Sequence, residues 1–363
     1  MMYQNELNAL QKSGRYRSRT LYDENLLDFS SNDYLGLGHV KSLFDRAVTQ
    51  LSMYPSHAPK ASLLVNGYHP IHEEFEQFLL RQNGFEAALV CGSGFLANFS
   101  LIEALPRKKD LLLLDEEYHA SGMVAAKVVD AKVVIFRHND ANHLEELITM
   151  HPHQRAIVAV EGIYSMSGDL LNRDIFDVAD AHHALLIVDE AHSVGVVGES
   201  LRGVFDVFGI TPKENHIKMG TLGKALGSYG AYILCSEALS HFLLNRAKAL
   251  IYTTAPSLFD IALGYQGFLY LFKHKEALNR AIKERQCLVE TSLGVKTEGL
   301  IVPFKPRGGD VLTVQKRLQS KGFLVGAIRA PTVKEPIIRL IPRLQHSVNE
   351  LETLCTLLLK EAL

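Results

Sequence analysis

From about residue 85 this chain repeats one rhythm, a short apolar run followed by a segment of helical period. The runs occupy residues 87–91, 111–114, 132–137, 156–160, 185–188, 216–219 and 231–235. They show little polar alternation, so the strands they predict are buried on both faces, and helices cover a mostly parallel sheet. After Pro256 the pattern changes to a long helical stretch over 259–290, then strand–helix–strand signals to about residue 342 and a last amphipathic helix. The expected fold is α/β: a large domain built on a mostly parallel seven-stranded sheet, plus a smaller C-terminal α/β domain. The predicted boundaries are an N-terminal helix and arm over 1–35, the large domain over 36–265 and the small one over 266–363. Neither an internal repeat nor a low-complexity segment interrupts this plan.

Charge narrows the function classes. A formal net charge of −2 gives no electrostatic case for nucleic acid or an anionic membrane. The four cysteines, Cys91, Cys235, Cys287 and Cys355, form no CxxC pair, which argues against a disulfide framework or a zinc ribbon. The opening Met-Met-Tyr-Gln-Asn-Glu has no apolar signal region, and no apolar run approaches membrane-spanning length. A cytoplasmic enzyme is the expectation.

The chemistry-bearing residues follow the strand ends, where open α/β sheets place their ligand crevice. Leu185-Leu186-Ile187-Val188-Asp189-Glu190-Ala191-His192 ends a strand on an acid with a histidine three residues on, and Gly220-Thr221-Leu222-Gly223-Lys224-Ala225-Leu226-Gly227 sets Lys224 among small residues. A lysine that can bond an aldehyde, with a carboxylate to hold a pyridine nitrogen protonated, is what a pyridoxal phosphate (PLP) site requires. Most lysines are simply surface residues; here Gly223 and Gly227 let backbone approach a ligand, and Thr221 offers a hydroxyl to a phosphate. Asp189 and His192, with His182 and His183 nearby, also read as a metal pair, but no spacing supplies a third ligand.

Cys91-Gly92-Ser93-Gly94-Phe95-Leu96-Ala97-Asn98 follows the first run and opens a helix whose N–H groups can cradle a phosphate. It also matches G-x-G-x-x-A, with Asp115 ending the next strand 21 residues after Gly94, so by itself it favours a dinucleotide. A glycine turn needed only for packing fits it as well. His119, after the next strand, can stack on an aromatic ring, and Ser165, in Glu161-Gly162-Ile163-Tyr164-Ser165, can bond a cofactor oxygen, although lone histidines and turn serines are commonplace.

Taken in order, FSSNDYLGL (29–37), CGSGFLAN (91–98), EEYHAS (116–121), HND (138–140), EGIYSMSGD (161–169), VDEAHSVGVVGE (188–199), GTLGKALG (220–227), IYTT (251–254) and AIRAPTV (327–333) resemble the α-oxoamine synthase family of fold-type I PLP enzymes over nearly the whole chain. That resemblance implies PLP bonded to Lys224, Asp189 at its ring nitrogen, His119 stacked on the ring, and His192 with Ser165 at the ring oxygen. Backbone at Gly94 and Phe95, with Thr221, matches the phosphate contacts. Thr253 or Thr254 matches a phosphate ligand supplied by the neighbouring subunit, hence a homodimer with its site at the interface. Arg17, Asn32, Thr332 and Arg339 match positions facing substrate, Arg339 with a guanidinium fork suited to the amino-acid carboxylate. Arg15 and Arg19 compete with Arg17 for its match. One stretch, Ser56 to Gly67, departs from the family's glycine-rich Ser-Arg pattern.

FSSNDYLGL and AIRAPTV are most similar to members that condense L-alanine with a pimeloyl thioester, carried on CoA or a carrier protein, in biotin biosynthesis. The implied reaction is a decarboxylative acyl transfer between small molecules. A sister reaction, glycine with acetyl-CoA, shares the motifs. An NAD-dependent dehydrogenase built on GSGFLA and Asp115 leaves Lys224 without a role, and a non-catalytic relative has no need to keep lysine, acid and both histidines.

Overall fold

The computed structural model describes residues 2–307 and 310–361. A two-residue strand, β1 (Leu27–Asp28), precedes the seven strands of the central sheet: β2 (Ala87–Cys91), β3 (Leu111–Asp115), β4 (Lys132–Phe136), β5 (Ala156–Glu161), β6 (Leu185–Asp189), β7 (His216–Thr221) and β8 (Ala231–Cys235). Their spatial order is β2-β8-β7-β6-β5-β3-β4. From β7 to β4 all neighbours are parallel, while β8 runs antiparallel to both β7 and β2. The sheet is mixed and mostly parallel, as the apolar runs predict.

Strands β3, β5 and β8 are buried at every position. Successive side chains of β5 face opposite cores: Val158 and Val160 pack with Phe75 and Phe176, Ile157 and Ala159 with Leu101 and Leu114. Each fully buried aliphatic side chain of this kind stabilises by about 1.5–3 kcal/mol. β4 forms an edge, and there Val133 and Ile135 remain exposed.

A helix of 36 residues, Leu258–Leu293, is capped by Ser257 and ends at Gly294 in the left-handed conformation. Its first half, through Ile261, Phe268 and Leu271, belongs to the sheet's core; Val289 belongs to a separate core made by the C-terminal elements. The expected boundary at 265/266 therefore falls inside a continuous helix. The C-terminal elements are β9 (Val302–Phe304), the helix Val311–Gln319, β10 (Phe323–Leu324), β11 (Gly326–Ile328), β12 (Ile337–Leu340) and the helix Val348–Glu361. β9, β11 and β12 form an antiparallel sheet in the order β11-β12-β9, and β10 pairs in parallel with β1. Phe29 sits fully buried in this C-terminal core. Arg343 holds the segment that follows it, donating from Nε to Asp33 O at 3.0 Å and from Nη1 to Asp28 O at 3.1 Å. That fastening delivers Asn32 and Tyr34 to the sheet's carboxyl edge.

Candidate active site

Four adjacent strands end on polar residues: Thr221 on β7, Asp189 on β6, Glu161 on β5 and Asp115 on β3. Glu161 and Asp189 are register partners, so two carboxyl groups stand side by side at neighbouring strand ends. Beyond them a cavity of about 160 Å³ is lined by Gly94, Phe95, Asn98, His119, Glu161, Asp189, Ala191, His192, Met219, Thr221 and Lys224.

Lys224 Nζ lies 2.7 Å from His192 Nε2. The other ring nitrogen of His192 meets the hydroxyl of Tyr34, which is wholly buried. Burial lowers the Lys224 pKa to about 8, against the opposing pull of Asp189 and Glu161. It drives His192 well below the ordinary histidine value, helped by the positive Lys224 and Arg339, and lowers His119 as well, with Lys224 assisting and Asp189 opposing. Both rings are thus neutral near pH 7. Glu161 is pushed well above the carboxylate range by burial and then by Asp189, only partly offset by Lys224 and the Ser165 N–H.

Asp189 Oδ1 accepts from the N–H of Ala191 at 2.9 Å and Oδ2 from Asn98 Nδ2 at 2.6 Å. His119 caps the helix Ala120–Ala125, its Nδ1 accepting from the Ser121 N–H at 3.2 Å. Ser93 caps the helix Gly94–Ala104 by accepting from the Leu96 N–H at 3.2 Å, and the first helical bond runs from Ala97 N to Ser93 O. The N–H groups of Gly94 and Phe95 precede that bond and are free to hold an anion. A Cβ on Gly94 would lie 3.7 Å from Thr221 Cβ, so a side chain there would fill the gap between helix and strand end. Thr221 Oγ1 donates to Gly230 O at 3.0 Å.

The other expected positions fall in two groups. Arg339, buried on β12, donates from Nη1 to Asn32 Oδ1 at 2.9 Å and from Nε to the Ser165 carbonyl at 2.9 Å, while its Nη2 has no partner among the described residues. Ser165 in turn donates its N–H to Glu161 Oε2 at 3.0 Å. Arg17 Nη2 stands 3.5 Å from Thr332 Oγ1, and both line a second cavity of about 300 Å³ with Arg15 and Arg329. Thr253 and Thr254 follow the short helix Lys248–Ile251 and do not line the Lys224 cavity.

The dinucleotide reading loses its footing. Asp115 accepts from the N–H groups of Glu117 and Asn139, from the Tyr164 hydroxyl and from His138, so the acid that a dinucleotide ribose would need is fully engaged. No group of three or more potential metal ligands occurs among the described residues.

Sequence alone gives no role to three residues of the site: Tyr34, Asn98 and Glu161. Each lies inside a quoted motif, but only the folded geometry shows that Tyr34 reaches His192, that Asn98 reaches Asp189, and that one oxygen of Glu161 is buried without a partner.

PLP suits this donor set. An amine whose pKa burial lowers to about 8, a carboxylate held by two donors, two imidazoles and a pair of free N–H groups converge on one cavity, and the unpartnered Glu161 Oε1 and Arg339 Nη2 are groups that a polar ligand would satisfy. The chain belongs to the aminotransferase class I and II family, which matches residues 24–358. More narrowly, it is 42% identical over 361 residues to the 8-amino-7-oxononanoate synthase of Helicobacter pylori, spanning 99% of this chain and 97% of that one. It is 34% identical to the synthase of the same name from Saccharophagus degradans, spanning 97% and 94%. Among solved structures, Sphingomonas wittichii serine palmitoyltransferase superposes with a TM-score of 0.88 at 22% identity, covering 99% and 98% of the two chains. The Francisella tularensis 8-amino-7-oxononanoate synthase gives 0.75 at 24%, covering 93% and 98%. These structural likenesses concern the fold, that of fold-type I PLP transferases. The chain is a PLP-dependent acyltransferase of the α-oxoamine synthase kind.

Proposed function

We propose that this chain condenses L-alanine with a pimeloyl thioester, releasing carbon dioxide and a free thiol and leaving 8-amino-7-oxononanoate, a step of biotin biosynthesis. The observation that carries the reading is the Lys224 amine, its pKa brought down by burial to about 8 and its Nζ 2.7 Å from His192, in a cavity that also holds Asp189 and His119. Bound PLP supplies an electron-accepting ring that stabilises negative charge on the α-carbon of the amino acid.

The protein's part is placement and proton transfer. Asp189 would face the ring nitrogen of bound PLP and His119 would cover one ring face. His192, with Ser165, would serve the ring oxygen, and the N–H groups of Gly94 and Phe95 with Thr221 would hold the phosphate. Arg339, oriented by Asn32 and the Ser165 carbonyl, takes the alanine carboxylate. Lys224 Nζ, neutral above about pH 8, removes the α-proton of alanine and later returns one to the product. Arg17 and Thr332 face the acyl substrate.

The active form we propose is a cytoplasmic homodimer in which Thr253 or Thr254 reaches the partner's phosphate site. Support comes from two aromatic side chains left 48% and 81% exposed: Phe95, which lines the Lys224 cavity, and Tyr252, the residue before Thr253. No helix is long and apolar enough to cross a membrane among the described residues. We also propose that the small domain spans 266–363 and gathers β1 from the N-terminal arm.

Product analysis tests the reading. Purified protein is incubated with PLP, L-alanine and pimeloyl-CoA, thiol release is followed colorimetrically, and the product is weighed by mass spectrometry. The mass of 8-amino-7-oxononanoate is the expected result. Thiol release with glycine and acetyl-CoA alone would move the reaction to the sister class, and pimeloyl carrier protein in place of pimeloyl-CoA distinguishes the donors.

A further inference from the structure

Holding a flat ring in one pose requires that its edge and its face be referenced to one frame. A single buried amide supplies that frame here. Asn98 is 1% exposed and sits on the helix Gly94–Ala104. Its Nδ2 donates to Asp189 Oδ2 at 2.6 Å and to Ser121 Oγ at 3.1 Å, and its Oδ1 accepts from the Tyr118 hydroxyl at 2.8 Å. Ser121 Oγ lies 2.7 Å from His119 Nδ1.

The direction of every bond in this chain follows from its ends. The amide cannot be reversed, because Oδ1 would then oppose a carboxylate oxygen and Tyr118 would lose its acceptor. Both Asn98 N–H groups are therefore committed, Ser121 Oγ accepts one of them, and its own proton is left for His119. The His119 Nδ1 accepts from that hydroxyl and from the Ser121 N–H, so its ring carries its proton on Nε2. Tyr118, Ser121 and Asp189 are 4%, 0% and 4% exposed, so water does not compete for these bonds. Asn98 also stands four residues beyond Gly94, on the same face of the helix. One rigid element thus carries both the free N–H groups for the phosphate and the amide that holds Asp189.

We propose that Asn98 is a positioning residue that sets, through its two N–H groups, the orientation of the Asp189 carboxylate and the plane and tautomer of the His119 ring together. The inference rests on the function proposed above, in which Asp189 faces the edge of PLP and His119 its face. Asn98 itself acts through these two residues.

The test uses the PLP-loaded enzyme carrying Asn98→Leu or Asn98→Asp, with Ser121→Ala as a second background and ¹⁵N-labelled histidine as probe. Asn98→Leu is expected to raise the PLP dissociation constant roughly 10- to 100-fold, the loss that accompanies a broken hydrogen bond to a charged group. It lowers kcat with little change in KM for alanine, and it shifts the His119 Nδ1 resonance although Asn98 makes no hydrogen bond to that ring. On the Ser121→Ala background the same substitution leaves that resonance where it was, because the link is already cut. Should Asn98→Leu fail to fold, Asn98→Asp gives the answer, since its shape is kept while an acceptor faces Asp189. A variant that melts lower but binds PLP as tightly as wild type, with an unmoved His119 resonance, overturns the proposal. Wild-type protein that binds no PLP overturns the functional reading itself, a failure visible before any variant is compared.

Discussion

Lys224 and His192 are joined directly, Nζ to Nε2 at 2.7 Å, and behind His192 stands Tyr34 at 2.5 Å from Nδ1. The three residues come from three distant motifs and meet in one line at the cavity. Removing the Tyr34 hydroxyl leaves a buried imidazole nitrogen without a partner, a loss of about 1–3 kcal/mol. If that loss falls on the transition state, Tyr34→Phe lowers kcat/KM roughly 5- to 150-fold, with the fold retained. Steady-state kinetics beside a melting curve measure it, and an unchanged kcat/KM would show that the line of contacts is idle.

Capture of PLP by the stripped protein reports the lysine directly. The protonated amine cannot attack an aldehyde, and burial brings its pKa down to about 8. The second-order rate of PLP recombination should climb with pH and level off above about 8, rather than rising toward the ordinary value of 10.5. Stopped-flow absorbance across pH 6.5 to 10 decides between them.

Gly227 packs the lysine turn against the backbone at Leu37 and Gly38. Its φ is +61°, its N–H donates to the Lys224 carbonyl at 3.0 Å, and a Cβ would lie 2.4 Å from the Gly38 nitrogen. Gly227→Ala combines a left-handed alanine, costing about 1–2 kcal/mol, with a clash against backbone that cannot swing aside. Both a lower melting temperature and weaker PLP binding are expected. Wild-type affinity in this variant would show that the turn tolerates displacement.

Away from the site, Glu76 makes a pH-dependent contribution to stability. Its oxygens accept from the Val90 N–H and the Tyr68 hydroxyl, and burial outweighs these donors to raise its pKa from 4.5 to about 7. Between those values the folded chain holds a proton that the unfolded chain has released, so the stability is present below pH 4.5 and lost as pH rises through about 7. Glu76→Gln, which never ionises, should match wild type at pH 4.5 and exceed it at pH 8 by about 1–3 kcal/mol. Denaturant unfolding at the two pH values measures the difference, and equal stability at pH 8 would refute it.

The large sheet is legible in the sequence because strands buried on both faces must be apolar throughout: each predicted run lies within two residues of its strand. The residues at strand ends are legible for a related reason, since a polar side chain closing an apolar run has few other uses. What escaped is of another kind. The pairing of β1 with β10 joins residues almost 300 positions apart, with no local pattern to announce it. Asn98 and Tyr34 read as a helix residue and a turn residue until folding brings them against Asp189 and His192. The unbroken helix Leu258–Leu293 hides the expected boundary at 265/266 because a helix that serves two cores keeps one period throughout.

The central claim is that Lys224 is the residue that bonds the cofactor. Borohydride reduction of the PLP-loaded protein makes that bond permanent, and peptide mass mapping then locates it. The account predicts a single phosphopyridoxyl adduct on the peptide containing Lys224 and none in Lys224→Ala. An adduct on Lys218, buried on β7 three residues before its end, or scattered over surface lysines, would contradict it.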